Sequence, residues 1–162
     1  MVDSPILETR HDSWPDEAAC ADSARTLARH EALHDAFIEL HGPLGAGKTT
    51  FVRHLLHGLG VRGAIKSPTY ALLEPYRAVT PAGGFDIAHF DFYRFDDPAE
   101  WEDAGFREVF ADPGLKLVEW PEKAAGLLPE CDLRVWITPR DGSDARAARF
   151  DALSEIGREL LA

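Results

Sequence analysis

The stretch that decides the fold is Ala36-Phe37-Ile38-Glu39-Leu40-His41-Gly42-Pro43-Leu44-Gly45-Ala46-Gly47-Lys48-Thr49. Its first half, residues 36–41, is a short apolar run that reads as a strand leading into a segment of the form G-x-x-x-x-G-K-[ST]. Beyond Lys48, the residues Phe51, Val52, Leu55, Leu56 and Leu59 recur at helical spacing, and Gly58 and Gly60 supply stop signals. Strand, glycine loop and helix in that order form the setting that a phosphate-binding loop requires. Glycines let successive backbone N–H groups turn inward around a β-phosphate, and the helix adds the positive end of its dipole. In this reading Gly42, Leu44, Gly45, Ala46, Gly47, Lys48, Thr49 and Thr50 bind the nucleotide. Lys48 reaches the β- and γ-phosphates, and the Thr49 hydroxyl coordinates Mg²⁺.

Outward from the loop, the rest of the chain supplies the elements of an α/β domain. Upstream, Ser13-Trp14-Pro15 offers a helix start, continued by Ala19, Ala24, Leu27 and Ala28 to about His30. Downstream, Thr80-Pro81-Ala82-Gly83-Gly84 reads as a hairpin or surface loop between two apolar runs. Residues 85–91 and 115–119 look like strands ending in an acid, Asp91 and Glu119 respectively. Between them Asp97-Pro98-Ala99-Glu100 resembles a capping box that starts a helix through about Phe106. Residues 132–138 and 146–153 are strand candidates around the turn Pro139-Arg140-Asp141-Gly142, and residues 154–161 form a closing helix. The order predicts a single domain over residues 1–162, a three-layer P-loop NTPase fold of the α/β class with a mixed parallel and antiparallel central sheet.

Composition bounds what such a domain does. With 162 residues, 45% of them hydrophobic and 28% charged, the chain fits one ordinary globular core. A formal net charge of −11 repels a phosphate backbone, so a nucleic-acid partner would have to be held by another protein. Cys20 and Cys131 show neither metal-ligand spacing nor a C-x-x-C, which points to a reducing compartment. The N-terminal stretch, with Asp3, Glu8 and Asp12, lacks a basic region followed by an apolar one, and no run approaches a membrane span, so a cytoplasmic protein with no membrane partner is expected.

A phosphate-loop enzyme also needs an acid at a neighbouring strand end to hold Mg²⁺, and another polar group to orient the nucleophile. Asp91 and Glu119 both qualify by position, and the sequence leaves open which of them approaches the metal. At Ser67-Pro68-Thr69-Tyr70 a hydroxyl-rich turn falls where many nucleotide hydrolases keep a γ-phosphate sensor, and Thr69 is the hydroxyl to watch. Of the histidines, His89 stands out because it shares a strand face with Asp91. A small-molecule or nucleotide kinase is the alternative use of the same loop. A GTP-dependent switch would need N-K-x-D and D-x-x-G, and neither tetrapeptide occurs.

Together these segments resemble the TsaE family, the bacterial ATPases of the pathway that places threonylcarbamoyl on an adenosine next to the tRNA anticodon. The resemblance is carried by Gly45-Ala46-Gly47-Lys48-Thr49-Thr50-Phe51, Lys66-Ser67-Pro68-Thr69-Tyr70, Glu74-Pro75-Tyr76, His89-Phe90-Asp91-Phe92-Tyr93-Arg94 and Leu117-Val118-Glu119-Trp120-Pro121. It implies ATP and Mg²⁺ as cofactors, hydrolysis that is slow without partners, and action with TsaD-type transferase and TsaB-type scaffold partners, with tRNA met only indirectly. Lys48 resembles the family's phosphate lysine, Thr49 and Glu119 its magnesium-associated residues, and Asp91 its acid for ATP hydrolysis. Trp120 resembles a tryptophan linked to activity. With Ser67, Thr69 and Tyr70 it is the implied partner or switch segment. Glu17, in Pro15-Asp16-Glu17, looks like part of a segment near the adenine, and Arg146 like a distal nucleotide contact. Pro43 departs from the family, whose members often carry an acid there.

Overall fold

The computed structural model describes residues 5–81 and 83–162, so Asp3 and Ala82 lie outside the described residues. Seven strands form one sheet: β1 (Glu8–Trp14), β2 (Phe37–His41), β3 (Leu73–Thr80), β4 (Gly83–Asp91), β5 (Leu115–Glu119), β6 (Leu133–Pro139) and β7 (Arg146–Ala152), in the spatial order β1-β7-β6-β2-β5-β4-β3. The middle pairs β6–β2, β2–β5 and β5–β4 are parallel, and the outer pairs β1–β7, β7–β6 and β4–β3 are antiparallel. The mixed sheet expected from the sequence is therefore present, with parallel strands at its centre.

Burial explains the arrangement. β5 is buried at every position, as a strand covered on both faces must be. Alternate residues of the central strands feed two cores, one on each side. Ile38, Leu40 and Leu117 face the helices α1 (Glu17–Ala28), α2 (Lys48–Gly58) and α5 (Glu155–Leu161), through Leu27, Leu55 and Leu160 among others. Phe37, Phe90 and Val118 face the opposite side, where Trp101 of α3 (Pro98–Asp103) and Phe106 of α4 (Phe106–Ala111) close a second, aromatic core. Helices on both faces of the sheet give the three layers. Among the described residues no helix is long and apolar enough to cross a membrane.

Two expectations need correction. Ser13 and Trp14 do not open a helix; they end β1, and α1 begins only after Asp16, whose carboxylate accepts the Ala19 N–H at 3.0 Å. The N-cap competes better than the upstream serine because its side chain reaches an otherwise unpaired helix donor. The helix expected from Asp97 through Phe106 is in fact two, since Gly105 takes a left-handed φ of 70° between α3 and α4. Asp97 does cap α3, accepting the Ala99 N–H at 2.9 Å.

Candidate nucleotide site

The site is assembled where the central parallel strands end. β2 delivers the chain to Gly42, where φ is 152° and an added Cβ would stand 2.5 Å from the Ile137 carbonyl oxygen, so only glycine fits. The loop closes at Gly47, whose left-handed φ of 106° starts α2 without a side-chain cap. The first N–H groups of an α-helix have no partner within the helix, and here they face the loop.

Parallel pairing then brings both expected acids to the same edge, because Asp91 of β4 is in register with Glu119 of β5. Thr49 Oγ1 donates to Glu119 Oε1 at 2.8 Å and lies 3.1 Å from Oε2. The same Oε2 lies 2.6 Å from Nε2 of His89, which is 0% exposed. His89 Nδ1 has no protein partner, which fits a ring whose proton sits on Nε2 and is donated to the carboxylate. Asp91 accepts the Tyr93 N–H at 2.9 Å and the Thr69 hydroxyl at 3.2 Å. Burial pushes the Asp91 carboxyl above its ordinary value, against the pull of the Tyr93 N–H, with the charge of Glu119 adding to the rise.

Lys48 is only 5% exposed. Its ammonium donates to the carbonyls of Gly42 and Pro43 and lies 3.7 Å from the centre of the Trp120 ring. Burial lowers its pKa, opposed by Glu119, Glu122 and Asp91. Trp120 is not a core residue. It has a left-handed φ of 57°, a conformation that costs a non-glycine residue about 1–3 kcal/mol, and its ring packs on Tyr93 at the cleft wall.

Two clefts share the loop. One, of about 600 Å³, is lined by Lys48, Thr49, Asp91, Glu119 and Trp120 together with Leu44, Gly45, Ser67 and Thr69. The other, of about 330 Å³, is lined by Trp14, Asp16, Glu17, Cys20 and Arg146, and both include Ala46, Gly47 and Thr50. Arg146 Nε donates to the Ala46 carbonyl at 2.8 Å, tying β7 to the loop. Trp14 Nε1 is buried without a hydrogen-bond partner. Burial pushes the Cys20 thiol up to about 11, so it remains protonated and is no nucleophile. Two of the expected site residues, Gly42 and Tyr70, lie outside both linings; Gly42 stands at the base of the loop, and Tyr70 is 84% exposed with the Arg94 guanidinium over its ring.

The donor set fits a phosphate with its metal. Thr49 and Glu119 offer one hydroxyl and one carboxylate, the sparse protein share that Mg²⁺ takes when phosphates and water complete its shell. Among the described residues no three His, Cys, Asp or Glu side chains converge to hold a metal by themselves. His89, Tyr93, Arg94 and Trp14 are site residues that sequence reasoning did not assign. His89 gave a signal through its shared strand face with Asp91, and Tyr93 and Arg94 fall in the family-like segment His89-Phe90-Asp91-Phe92-Tyr93-Arg94.

A glycine loop between a parallel strand and a helix, with acids at the ends of neighbouring strands, defines a P-loop nucleotide-binding protein. The family model described as "Threonylcarbamoyl adenosine biosynthesis protein TsaE" matches residues 14–148, and the chain belongs to the TsaE family. It is 44% identical over 124 residues to the tRNA threonylcarbamoyladenosine biosynthesis protein TsaE of Haemophilus influenzae, covering 76% of this chain and 75% of that protein. The TsaE protein of Bacillus subtilis is 37% identical over 116 residues, 72% of this chain and 69% of the relative. The crystal structure of Bacillus subtilis YdiB superposes with a TM-score of 0.75 and 26% identity, over 98% of this chain and 95% of that one.

Proposed function

We propose that the chain is a single ATPase domain that binds ATP with Mg²⁺ and hydrolyses it to ADP and phosphate in support of threonylcarbamoyladenosine formation in tRNA. The observation that carries this reading is the convergence of Lys48, Thr49, Asp91 and Glu119 on one cleft beside the glycine loop. The loop N–H groups from Gly42 to Thr50 hold the phosphates, and Lys48 exchanges its loop carbonyls and the Trp120 ring for β- and γ-phosphate oxygens. Thr49 and Glu119 hold Mg²⁺, which when bound neutralises charge on the phosphates. Asp91, kept close by Thr69 and the Tyr93 N–H, orients the attacking water. Glu17 and Arg146 serve the base side of the nucleotide through the smaller cleft.

The names of the relatives support the tRNA pathway, and the net charge of −11 supports contact with tRNA only through others. TsaD-type transferase and TsaB-type scaffold proteins in the cytoplasm are the partners of this reading. The segment Ser67, Thr69 and Tyr70, with Trp120, reports the nucleotide state to them. Reconstitution tests it: modification of tRNA by the partner pair should need this protein and ATP for repeated turnovers. A full multi-turnover rate without the protein overturns the reading.

A further inference from the structure

The phosphate-side cleft holds a cation that the reading above leaves unused. Arg94, three positions beyond Asp91, lines this cleft together with the glycine loop. The chain carries 28 acidic residues against 17 Lys and Arg, yet among the described residues the exposed Arg94 guanidinium forms no ion pair. It rests instead on the face of Tyr70, 4.6 Å from the ring centre, with Nη2 3.5 Å from the Tyr70 hydroxyl. A contact this exposed is weak compared with a guanidinium on a phosphate, because the planar fork matches phosphate oxygens two at a time. Lys48 and the start of α2 meet phosphates from the loop side, whereas Asp91 and Glu119 line the same cleft with negative charge. Among the residues lining this cleft, Arg94 is the cation besides Lys48 able to balance charge on the terminal phosphate.

We propose that Arg94 is a second cationic contact to the γ-phosphate besides Lys48, and that engaging a nucleoside triphosphate takes it off Tyr70. The proposal rests on the ATPase reading and adds a catalytic residue to it. In hydrolysis the water oxygen forms a bond to the γ-phosphorus while the bond from that phosphorus to the β–γ bridging oxygen breaks. The electron pair leaves with ADP, and both water protons stay on inorganic phosphate, released as H₂PO₄⁻. Arg94 gives up no proton; its N–H groups stabilise the equatorial oxygens as charge spreads over them. Since ADP lacks the γ-phosphate, Arg94 stays on Tyr70 in the diphosphate state. Arg94 therefore leaves the Tyr70 ring only while the triphosphate is bound.

Calorimetry with ADP and with the non-hydrolysable triphosphate AMP-PNP, together with steady-state turnover, tests this on the full chain. Arg94→Ala should lower kcat by at least about 10²-fold, below the range seen for arginines that act on a transferring phosphate in related loops. It should leave ADP affinity within about twofold and cut the AMP-PNP preference at least about tenfold, as loss of a charged hydrogen bond does. Arg94→Lys, which keeps the charge and loses the fork, should fall between. Tyr70→Ala, which removes the competing contact, should raise AMP-PNP affinity by about 2–5-fold and leave ADP unchanged. Wild-type kcat in Arg94→Ala, or a lowered kcat with an unchanged AMP-PNP to ADP ratio, overturns the proposal. If Lys48→Ala loses binding while Arg94→Ala behaves as wild type, only the Arg94 assignment falls. If the wild-type chain binds neither nucleotide, the ATPase reading falls with it.

Discussion

His89 Nε2 lies 2.6 Å from Glu119 Oε2, and the histidine making that contact is completely buried. The carboxylate it steadies also accepts the Thr49 hydroxyl at 2.8 Å, so one acid joins β4, β5 and the start of α2. Replacing His89 by Ala removes a donor from a buried acceptor, a change that costs about 1–3 kcal/mol. Urea denaturation of His89→Ala should therefore show a lower midpoint together with reduced turnover. His89→Gln, which retains a donor, should recover part of both. A His89→Ala variant as stable and active as wild type would show that the contact is incidental.

Asp91 should cost the ligand-free protein stability at neutral pH. Its folded pKa is raised above 3.8, so the folded state holds the proton more tightly than the unfolded chain does. The stabilising contribution is complete below 3.8 and is lost as pH rises through the folded value. Asp91→Asn should consequently raise the Tm near neutral pH and leave it unchanged at about pH 3, while lowering turnover at least about 10²-fold. Equal melting curves at both pH values would contradict the raised pKa.

Lys48→Ala should abolish calorimetric ATP binding, because among the described residues no other ammonium lines the cleft with the loop. Glu119→Ala should retain the fold and lose at least about 10²-fold in turnover. Mg²⁺ added without nucleotide should give no measurable heat, since among the described residues too few ligands converge to hold the metal. Unchanged ATP affinity in Lys48→Ala would sink the phosphate assignment.

Nucleotide binding should be visible in tryptophan emission. The Lys48 ammonium lies 3.7 Å from the Trp120 ring centre, and its transfer to a phosphate changes the surroundings of that ring. Inorganic triphosphate, which carries no base, should alter the fluorescence of the wild type and have no effect on Trp120→Phe. A response that persists in Trp120→Phe would place its origin elsewhere.

The chain alone should not retain tRNA at physiological salt, since the 17 basic residues among 28 acids do not form the cluster that displaces counterions from a phosphate backbone. Fluorescence anisotropy with labelled tRNA checks this directly. Submicromolar binding in the absence of partners would contradict it.

The parts of the site that were legible in the sequence are those whose signal is local. The glycine loop, the helix behind it and the acid-ended strands each declare themselves within about a dozen residues, and parallel register did the rest by setting Asp91 beside Glu119. β1 was not legible, because Glu-Thr-Arg-His-Asp-Ser-Trp is largely exposed and lacks the apolar alternation of a half-buried strand. Its place is fixed by β7, more than a hundred residues away. The contact between His89 and Glu119 spans 30 positions and also escapes a local reading. Tyr70 was legible as part of the hydroxyl-rich turn from Ser67, and Trp120 entered through family likeness. Their geometry, one ring under Arg94 and the other against Lys48, is a product of tertiary structure.

The pairing of β1 with β7 also sets the order in which this molecule can be finished on the ribosome. Glu8 has its partner at Ala152 and Trp14 at Arg146, so the first described strand waits unpaired until the last one has been made. At synthesis rates of about 5–20 residues per second the wait is on the order of ten seconds. Until then the cleft between Trp14, Glu17 and Arg146 lacks one wall. The polar sequence of β1 suits that interval, since Glu8, Arg10, His11 and Asp12 keep a waiting strand in water and discourage pairing with another chain.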